Sequence, residues 1–137
     1  MKSIRVLSHT ADIRLLIKSN SRHELFRAGV LGLAKIMSPE ENAKNYSVSK
    51  KIRIESQDLT SLFIDMLNEV LSLSHVNKCV FDEIRSLEIF DDRALEAELQ
   101  GYTVSRFVED VKAVTYHEAE IKQSALGIFQ TVVILDI

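Results

Sequence analysis

The chain has 137 residues, of which 46% are hydrophobic and 27% charged, with one Pro and four Gly. This length and composition predict one globular domain over residues 1–137 and exclude a long disordered tail. The formal net charge is -3, and Lys and Arg are scattered apart from a short SKKIR run at residues 49–53. A nucleic-acid binder needs a basic surface that neutralises phosphates, so the sequence favours a protein partner over strong direct nucleic-acid binding.

The N-terminal residues and the single cysteine predict a cytoplasmic protein without membrane contact. MKSIRVLSHTADIR lacks the apolar core of a signal peptide, and no apolar run approaches membrane-spanning length. Cys79 excludes an internal disulfide. Because it follows an amphipathic helix, we expect it to be half-buried and to pack rather than react.

Two helices are predicted from apolar residues at helical spacing. The first follows Ser21, which with Glu24 has the form of a capping box, and ends at Pro39. The second runs from about Asp58 to Ser74, where a polar cap precedes a nearly unbroken apolar stripe. The stripe contains Leu59, Leu62, Phe63, Met66, Leu67, Val70 and Leu71.

The remaining segments are rich in β-branched residues or alternate in polarity, and they predict strands. These segments are 46–55, 95–100, 111–121 and 129–137. Asp91 and Asp92 are typical of a hairpin turn, and Gly127 in KQSALG suits a turn that requires a positive φ. Two helices and a mostly antiparallel sheet predict an α+β fold.

Three polar stretches are not explained by the strand pattern alone. In SHTADI, His9 and Asp12 flank small residues at the entry of a strand, a pattern that most often marks a solvated turn. In VKAVTYH, strand alternation puts Lys112 and His117 on opposite faces. Lys112 could simply extend beside an apolar face, and His117 could be an ordinary hydrogen-bonded histidine.

The third stretch, LDI, ends the sequence and brings two carboxylates together. The side chain of Asp136 lies one residue from the α-carboxylate of Ile137. Two close carboxylates repel each other unless a cation lies between them, and Ca²⁺, Mg²⁺ or Mn²⁺ accept such oxygen ligands. If Asp12 lies alongside, the site has three carboxylates. Otherwise, Asp136 marks the place where the strand meets water.

Taken together, four motifs resemble those of the archease family. They are HTADI near the start, DMLNEVL in the second helix, KAVTYH in the penultimate predicted strand and ILDI at the end. They occur in this order over essentially the whole chain, although family members usually have an aromatic residue at the position of Met66. The resemblance implies a small α+β protein with two helices packed on a twisted sheet or β-sandwich.

The resemblance also implies a function. Archease proteins act as accessory factors of the RtcB-type RNA ligase, which joins tRNA exon halves in tRNA splicing and repairs RNA. They promote guanylylation of the ligase histidine and restore multiple turnover. The family's divalent-metal site would fall on Asp12, Asp136 and the terminal carboxylate of Ile137. Lys112 and His117 match KAVTYH and would line the same end of the sheet, and with His9 they are the candidates for contact with the partner.

Two other functions remain open at this point. One is a chaperone or modulator of RNA-processing enzymes, including a tRNA methyltransferase. The other is a metal-dependent hydrolase in which Asp12 and Asp136 hold the cation and His117 or His9 acts as base. No Gly-rich phosphate loop and no second carboxylate cluster of two-metal spacing is present, so the sequence favours an activator over an enzyme and assigns no catalytic residue.

One segment departs from the family pattern. Family members commonly have a Gly-Glu and a His before KAVTYH, whereas this chain reads GYTVSRFVED at residues 101–110. The acid and the imidazole that family members have there are missing, so a ligand or partner contact of this segment does not carry over from the resemblance.

Overall fold

The computed structural model describes residues 2–7, 12–38 and 48–137. His9, Pro39 and residues 46–47 of the first predicted strand lie outside the described residues. The elements are β1 (Lys2–Val6), β2 (Asp12–Ser19), α1 (Arg22–Met37), β3 (Val48–Glu55), α2 (Leu59–Asn77), β4 (Cys79–Phe90), β5 (Ala94–Thr103), β6 (Ala113–Thr115), β7 (Lys122–Gln123) and β8 (Phe129–Asp136).

The strands form two antiparallel sheets. The five-stranded sheet has the order β1-β2-β8-β6, with β7 also paired to β8, and the three-stranded sheet has the order β3-β5-β4. Each helix contacts strands of both sheets, so the helices join them into one core. The predicted α+β class is confirmed. Among the described residues, no helix has both the length and the apolar character to cross a membrane.

Both helices begin where their capping residues predict. The Ser21 hydroxyl accepts a hydrogen bond from the Glu24 amide at 3.1 Å, and the Asp58 carboxylate accepts one from the Ser61 amide at 2.8 Å. The bonds from Ser61 lower the pKa of the Asp58 carboxyl. The end predicted for α2 was wrong, because the helix continues to Asn77 and stops at Lys78, which has φ 48.

The strand predicted over 111–121 was also wrong. Only Ala113–Thr115 and Lys122–Gln123 pair as strands. After Thr115 the chain turns, with the Ala119 amide donating to the Tyr116 carbonyl at 3.0 Å and with Glu118 at φ 59. The predicted alternation of faces therefore ends at Thr115.

The two hairpin turns are as predicted. Asp91 and Asp92 both have positive φ angles, 51 and 56, between β4 and β5. Gly127 has φ 81 in the connection from β7 to β8. Short polar residues and Gly adopt this conformation at lower cost than other residues, which is why both turns are visible in the sequence.

Cys79 begins β4 and is fully buried rather than half-buried. Burial raises the pKa of its thiol to about 11, and the nearby charge of Lys50 offsets only part of that increase. The thiol therefore stays protonated at neutral pH, and the predicted packing role is confirmed.

Candidate cation and partner site

The end of the five-stranded sheet brings Asp12 and Asp136 together. They are paired directly across the antiparallel strands β2 and β8. Residues in such a pair have Cβ atoms roughly 4.5–5.5 Å apart and point to the same face. Because Ala113 of β6 pairs with Asp136 from the other side, the HTADI, ILDI and KAVTYH motifs meet at one place.

Lys112 and Ile137 extend this end of the sheet. The Lys112 amide donates to the Asp136 carbonyl oxygen at 2.7 Å, and the Lys112 side chain is exposed. Ile137 is half-buried and packs against the core, which holds the last residue beside Asp136. Asp136 itself is exposed, so its carboxylate meets water at the end of a strand whose other face is apolar.

A cation is already present among the side chains here. Arg14 lies two residues after Asp12 on the same face of β2, and its Nε is 3.7 Å from Asp12 Oδ1. Its Nη1 donates to Glu118 Oε2 at 2.7 Å. Neither Arg14 nor Glu118 stands out in the sequence, because their contact joins residues far apart in the chain.

His117 is not part of the same group. It is exposed and lies two residues past Thr115, in the turn that follows β6, whereas Lys112 precedes β6. The strand therefore separates His117 from the Asp12 and Asp136 end. The structure brings together Asp12, Asp136, Lys112 and Ile137.

Asn68 of α2 holds β6 in place. Its side-chain amide donates to the Val114 carbonyl at 2.8 Å, and its side-chain oxygen accepts from the Val114 amide at 2.9 Å. One side chain thus satisfies both main-chain groups of a buried strand residue, as a neighbouring strand would. β6 pairs with β8 on one side and with Asn68 on the other.

Three more polar residues of α2 bind the segment around β6. The Thr60 hydroxyl accepts from the Ile121 amide at 3.0 Å. The Asp65 carboxylate accepts from the Tyr116 hydroxyl. His75 Nε2 lies 2.9 Å from the Val111 carbonyl, which can only accept, so Nε2 donates. These contacts explain why residues 111–121 do not form one long strand. The Val111 carbonyl, both main-chain groups of Val114 and the Ile121 amide bond to helix side chains instead.

These helix residues are the ones that the sequence reasoning missed. Asp65 and Asn68 both belong to DMLNEVL, three positions apart and so on one face of α2, outside the apolar stripe. Their position beside half-buried helix surface was the available signal, since a polar group that is partly buried needs a partner. Both residues bond to the KAVTYH motif, Asn68 to the main chain of Val114 and Asp65 to the Tyr116 hydroxyl.

The segment 101–110, which departs from the family pattern, packs against the helix ends. The Phe107 ring lies 5.1 Å from the His75 ring in an edge-to-face arrangement. The Val108 amide donates to the Met37 carbonyl at 2.8 Å, and the Val104 amide donates to the Lys78 carbonyl at 3.0 Å. Its described contacts are therefore with the chain itself.

The donor set at Asp12 and Asp136 fits a hard divalent cation. Two carboxylates face each other at a solvent-exposed strand end, and such oxygen donors suit Ca²⁺, Mg²⁺ or Mn²⁺ with water completing the coordination. Within residues 2–7, 12–38 and 48–137, no three side chains of His, Cys, Asp or Glu come together to hold a metal. The α-carboxylate of Ile137 is one main-chain group that could add a third oxygen ligand.

The sequence from residue 5 to residue 137 matches the Archease protein family. Two relatives named Protein archease cover nearly the whole chain. The protein from Methanosarcina acetivorans is 31% identical over 99% of this chain and 97% of its own length. The protein from Methanosarcina mazei is 32% identical over the same two shares, 99% and 97%.

Two solved structures share the fold. The solution structure of protein 1598 from Methanobacterium thermoautotrophicum has a TM-score of 0.82 at 24% identity and covers 98% of both chains. The crystal structure of a Thermotoga maritima archease, described as a possible chaperone, has a TM-score of 0.63 at 20% identity. It covers 96% of this chain and 94% of its own. From the family match and the sequence relatives, the chain belongs to the archease family.

Proposed function

We propose that this protein is an accessory factor that binds a divalent cation at the end of its five-stranded sheet and activates an RtcB-type RNA ligase. In this proposal Asp12, Asp136 and the terminal carboxylate of Ile137 bind the cation. The protein itself catalyses no reaction. It promotes guanylylation of the ligase histidine and thereby restores turnover, the role that family membership suggests.

One observation carries the proposal. Asp12 and Asp136 lie directly opposite each other although they come from opposite ends of the chain, and the Lys112 amide bonds to the Asp136 carbonyl. Two facing carboxylates contribute little to a fold, because like charges directly opposite each other in a sheet are destabilising. Arg14 offsets part of this repulsion through Asp12, at 3.7 Å, and a cation bound between Asp12 and Asp136 would offset the rest at this exposed end of the sheet.

The same end of the five-stranded sheet has the properties of a docking surface for a metal-dependent enzyme. A bound divalent cation would offer open coordination positions to oxygen ligands of the partner. Lys112 presents an exposed ammonium group next to Asp136, suited to an acidic or phosphate group on that partner. The net charge of -3 disfavours competition for the RNA backbone and suits an approach to a metal-rich pocket.

Two alternatives give different results in the test below. The Thermotoga maritima protein is described as a possible chaperone. A chaperone would support folding of the ligase or of a methyltransferase without needing the cation. A metal-dependent hydrolase would need a base beside the cation. β6 separates His117 from Asp136, and the other candidate base, His9, lies outside the described residues.

The test compares ligase guanylylation and multiple turnover with and without this protein, using purified components. We expect Asp12→Asn and Asp136→Asn to weaken Ca²⁺ or Mn²⁺ binding by at least roughly tenfold, since each removes a charged ligand. Both should abolish stimulation of the ligase while the melting temperature changes little. Stimulation that survives both substitutions would favour the chaperone, and hydrolysis by the protein alone would favour the enzyme.

Asp91→Asn is the matched control for these variants. It makes the same charge change in an exposed turn of the other sheet, where Asn tolerates the positive φ of 51. Cation binding and ligase stimulation should both be unchanged. A loss in Asp91→Asn equal to that in Asp136→Asn would mean that net charge matters and not this site.

A separate experiment addresses Ile137, whose proposed ligand is its α-carboxylate and not its side chain. Extending the chain by Gly-Ser after Ile137 moves that charge away while Asp136 and the packed Ile side chain stay in place. We expect weaker cation binding and reduced ligase stimulation, with a stability change of about 1 kcal/mol or less. The same residues appended before Met1 serve as the control. Equal stimulation by the two extended proteins would remove Ile137 from the site.

A further inference from the structure

Arg14 contacts two carboxylates from different elements of the fold. Its Nε is 3.7 Å from Asp12 Oδ1, and its Nη1 is 2.7 Å from Glu118 Oε2. The side chains of Arg14 and Asp12 are each 36% exposed, and that of Glu118 is 50% exposed. The guanidinium is therefore shared between a candidate cation ligand and the turn that follows β6.

The contact from Arg14 to Glu118 spans β8. Arg14 lies opposite Ile134 of β8, and Ile134 lies opposite Thr115 of β6. Val133 and Leu135 belong to the core, so Ile134 between them faces the side of the sheet away from the core. It is nevertheless only 3% exposed. The Arg14 side chain reaches Glu118 on this side of the sheet, so its methylene groups lie on the face toward which Ile134 points.

We propose that Arg14 competes with the cation for Asp12, and that Glu118 controls how strongly it competes. This inference rests on the proposed cation site. The guanidinium is a fixed positive charge at one of the two side-chain ligands, so it repels a divalent cation there. Its hydrogen bond to Glu118 draws it away from Asp12, and at 3.7 Å the Asp12 contact is the longer of the two.

The arrangement links cation binding to the turn over residues 116–119. When a cation takes Asp12, Glu118 becomes the sole anionic partner of Arg14 among the contacts that the structure describes, and their bond strengthens. Glu118 has φ 59, a conformation that few residues other than Gly adopt, and the turn is closed by the Ala119 amide on the Tyr116 carbonyl. Tighter pairing thus steadies the turn that carries His117, one of the candidate partner contacts.

Calorimetric titration with Ca²⁺ tests the competition. Arg14→Met keeps the apolar stem over Ile134 and removes the charge, so Ca²⁺ should bind roughly five- to tenfold more tightly. Glu118→Gln leaves Arg14 with Asp12 as its one charged partner, and binding should weaken severalfold. In the double variant the effect of Glu118→Gln should vanish, because Glu118 acts through Arg14.

Arg53→Met is the matched control. Arg53 also bridges two carboxylates on an exposed strand face, at 2.8 Å to Glu96 and 3.0 Å to Glu55, but it lies in the three-stranded sheet. Its removal changes the net charge by the same amount as Arg14→Met and should leave Ca²⁺ affinity unchanged. An equal gain in both variants would overturn the proposal, because net charge would then explain it.

A second measurement does not depend on affinity. Amide hydrogen exchange of Ala119 should slow when Ca²⁺ is added to the wild-type protein and should not respond in Arg14→Met. If the wild type binds Ca²⁺ through Asp12 but neither affinity nor Ala119 exchange differs in Arg14→Met, the competition is wrong and the cation site stands. If neither the wild type nor Arg14→Met binds Ca²⁺, the site and the competition are both wrong.

Discussion

Replacement of Gly101 by Ala is expected to destabilise the protein by about 3 kcal/mol or more. Gly101 lies in β5 between Val48 of β3 and Phe81 of β4, beside the register shift between Phe81 and Glu83. A Cβ atom there would overlap the Val80 carbonyl oxygen and come within 2.9 Å of the Phe81 Cα. Both neighbours are backbone atoms of a paired strand, so the clash cannot be relieved by a side-chain rotation.

Gly32→Ala provides the comparison for this effect. A Cβ at Gly32 would lie 3.3 Å from Leu15 Cδ1, the end of a flexible side chain, and 3.5 Å from Ile4 Cγ2, an ordinary van der Waals contact. Ala also favours the helix interior over Gly by about 1 kcal/mol, which offsets a small adjustment of Leu15. Urea unfolding of both variants measures the difference. A cost for Gly101→Ala no larger than that for Gly32→Ala would contradict the close backbone approach.

Asn68→Leu is the second substitution with a large expected effect. It leaves the Val114 amide and carbonyl without their partner from α2, and an unsatisfied buried polar group costs about 1–3 kcal/mol. We expect a loss of about 3 kcal/mol in the free energy of unfolding, together with faster hydrogen exchange at the Val114 amide. Chemical denaturation and exchange measured on the same sample would connect the global and the local effect.

Two further variants of α2 make the expectation specific. Asn77 also donates from its side chain, at 2.8 Å, but only to the Leu73 carbonyl one turn earlier, so Asn77→Ala should cost less than about 1 kcal/mol. Asn68→Asp keeps an acceptor for the Val114 amide and sets a carboxylate oxygen against the Val114 carbonyl, so it should be destabilising despite its similar shape. If Asn68→Leu proves as mild as Asn77→Ala, Asn68 does not hold β6.

The parts of the fold that the sequence predicted correctly depend on local interactions. Ser21 and Asp58 cap helices through bonds to residues three positions later. The turn at Asp91 and Asp92 and the turn at Gly127 depend on the φ preferences of single residues. The end of α2 was missed because Lys78 takes the left-handed position where Gly or Asn would have marked it.

The failures arise where distant residues replace the expected backbone partner. Residues 111–121 have strand composition, but four of their main-chain groups bond to side chains of α2. These side chains belong to Thr60, Asn68 and His75, and Asp65 accepts from the Tyr116 hydroxyl. No local pattern in KAVTYH shows that a helix side chain will take the place of a strand. The contact of Arg14 with Glu118 is likewise determined by strand order, since it crosses β8.

The candidate site was predictable in its ligand types but not in its surroundings. Carboxylates in HTADI and ILDI indicated oxygen ligands, and the β2 and β8 register places Asp12 and Asp136 opposite each other. The competing guanidinium of Arg14 and the position of His117 beyond β6 required the three-dimensional arrangement.

The position of β8 inside the five-stranded sheet has a consequence for folding kinetics. The three-stranded sheet is built from residues 48–103, and its β4 and β5 strands close over a short turn. β2 and β8 instead pair segments from opposite ends of the chain, the kind of high-contact-order pairing that forms slowly. Asp12 and Asp136 sit on that pair. A folding intermediate that contained only the three-stranded sheet and α2 would therefore lack the proposed cation site, which requires β2 and β8 to be paired.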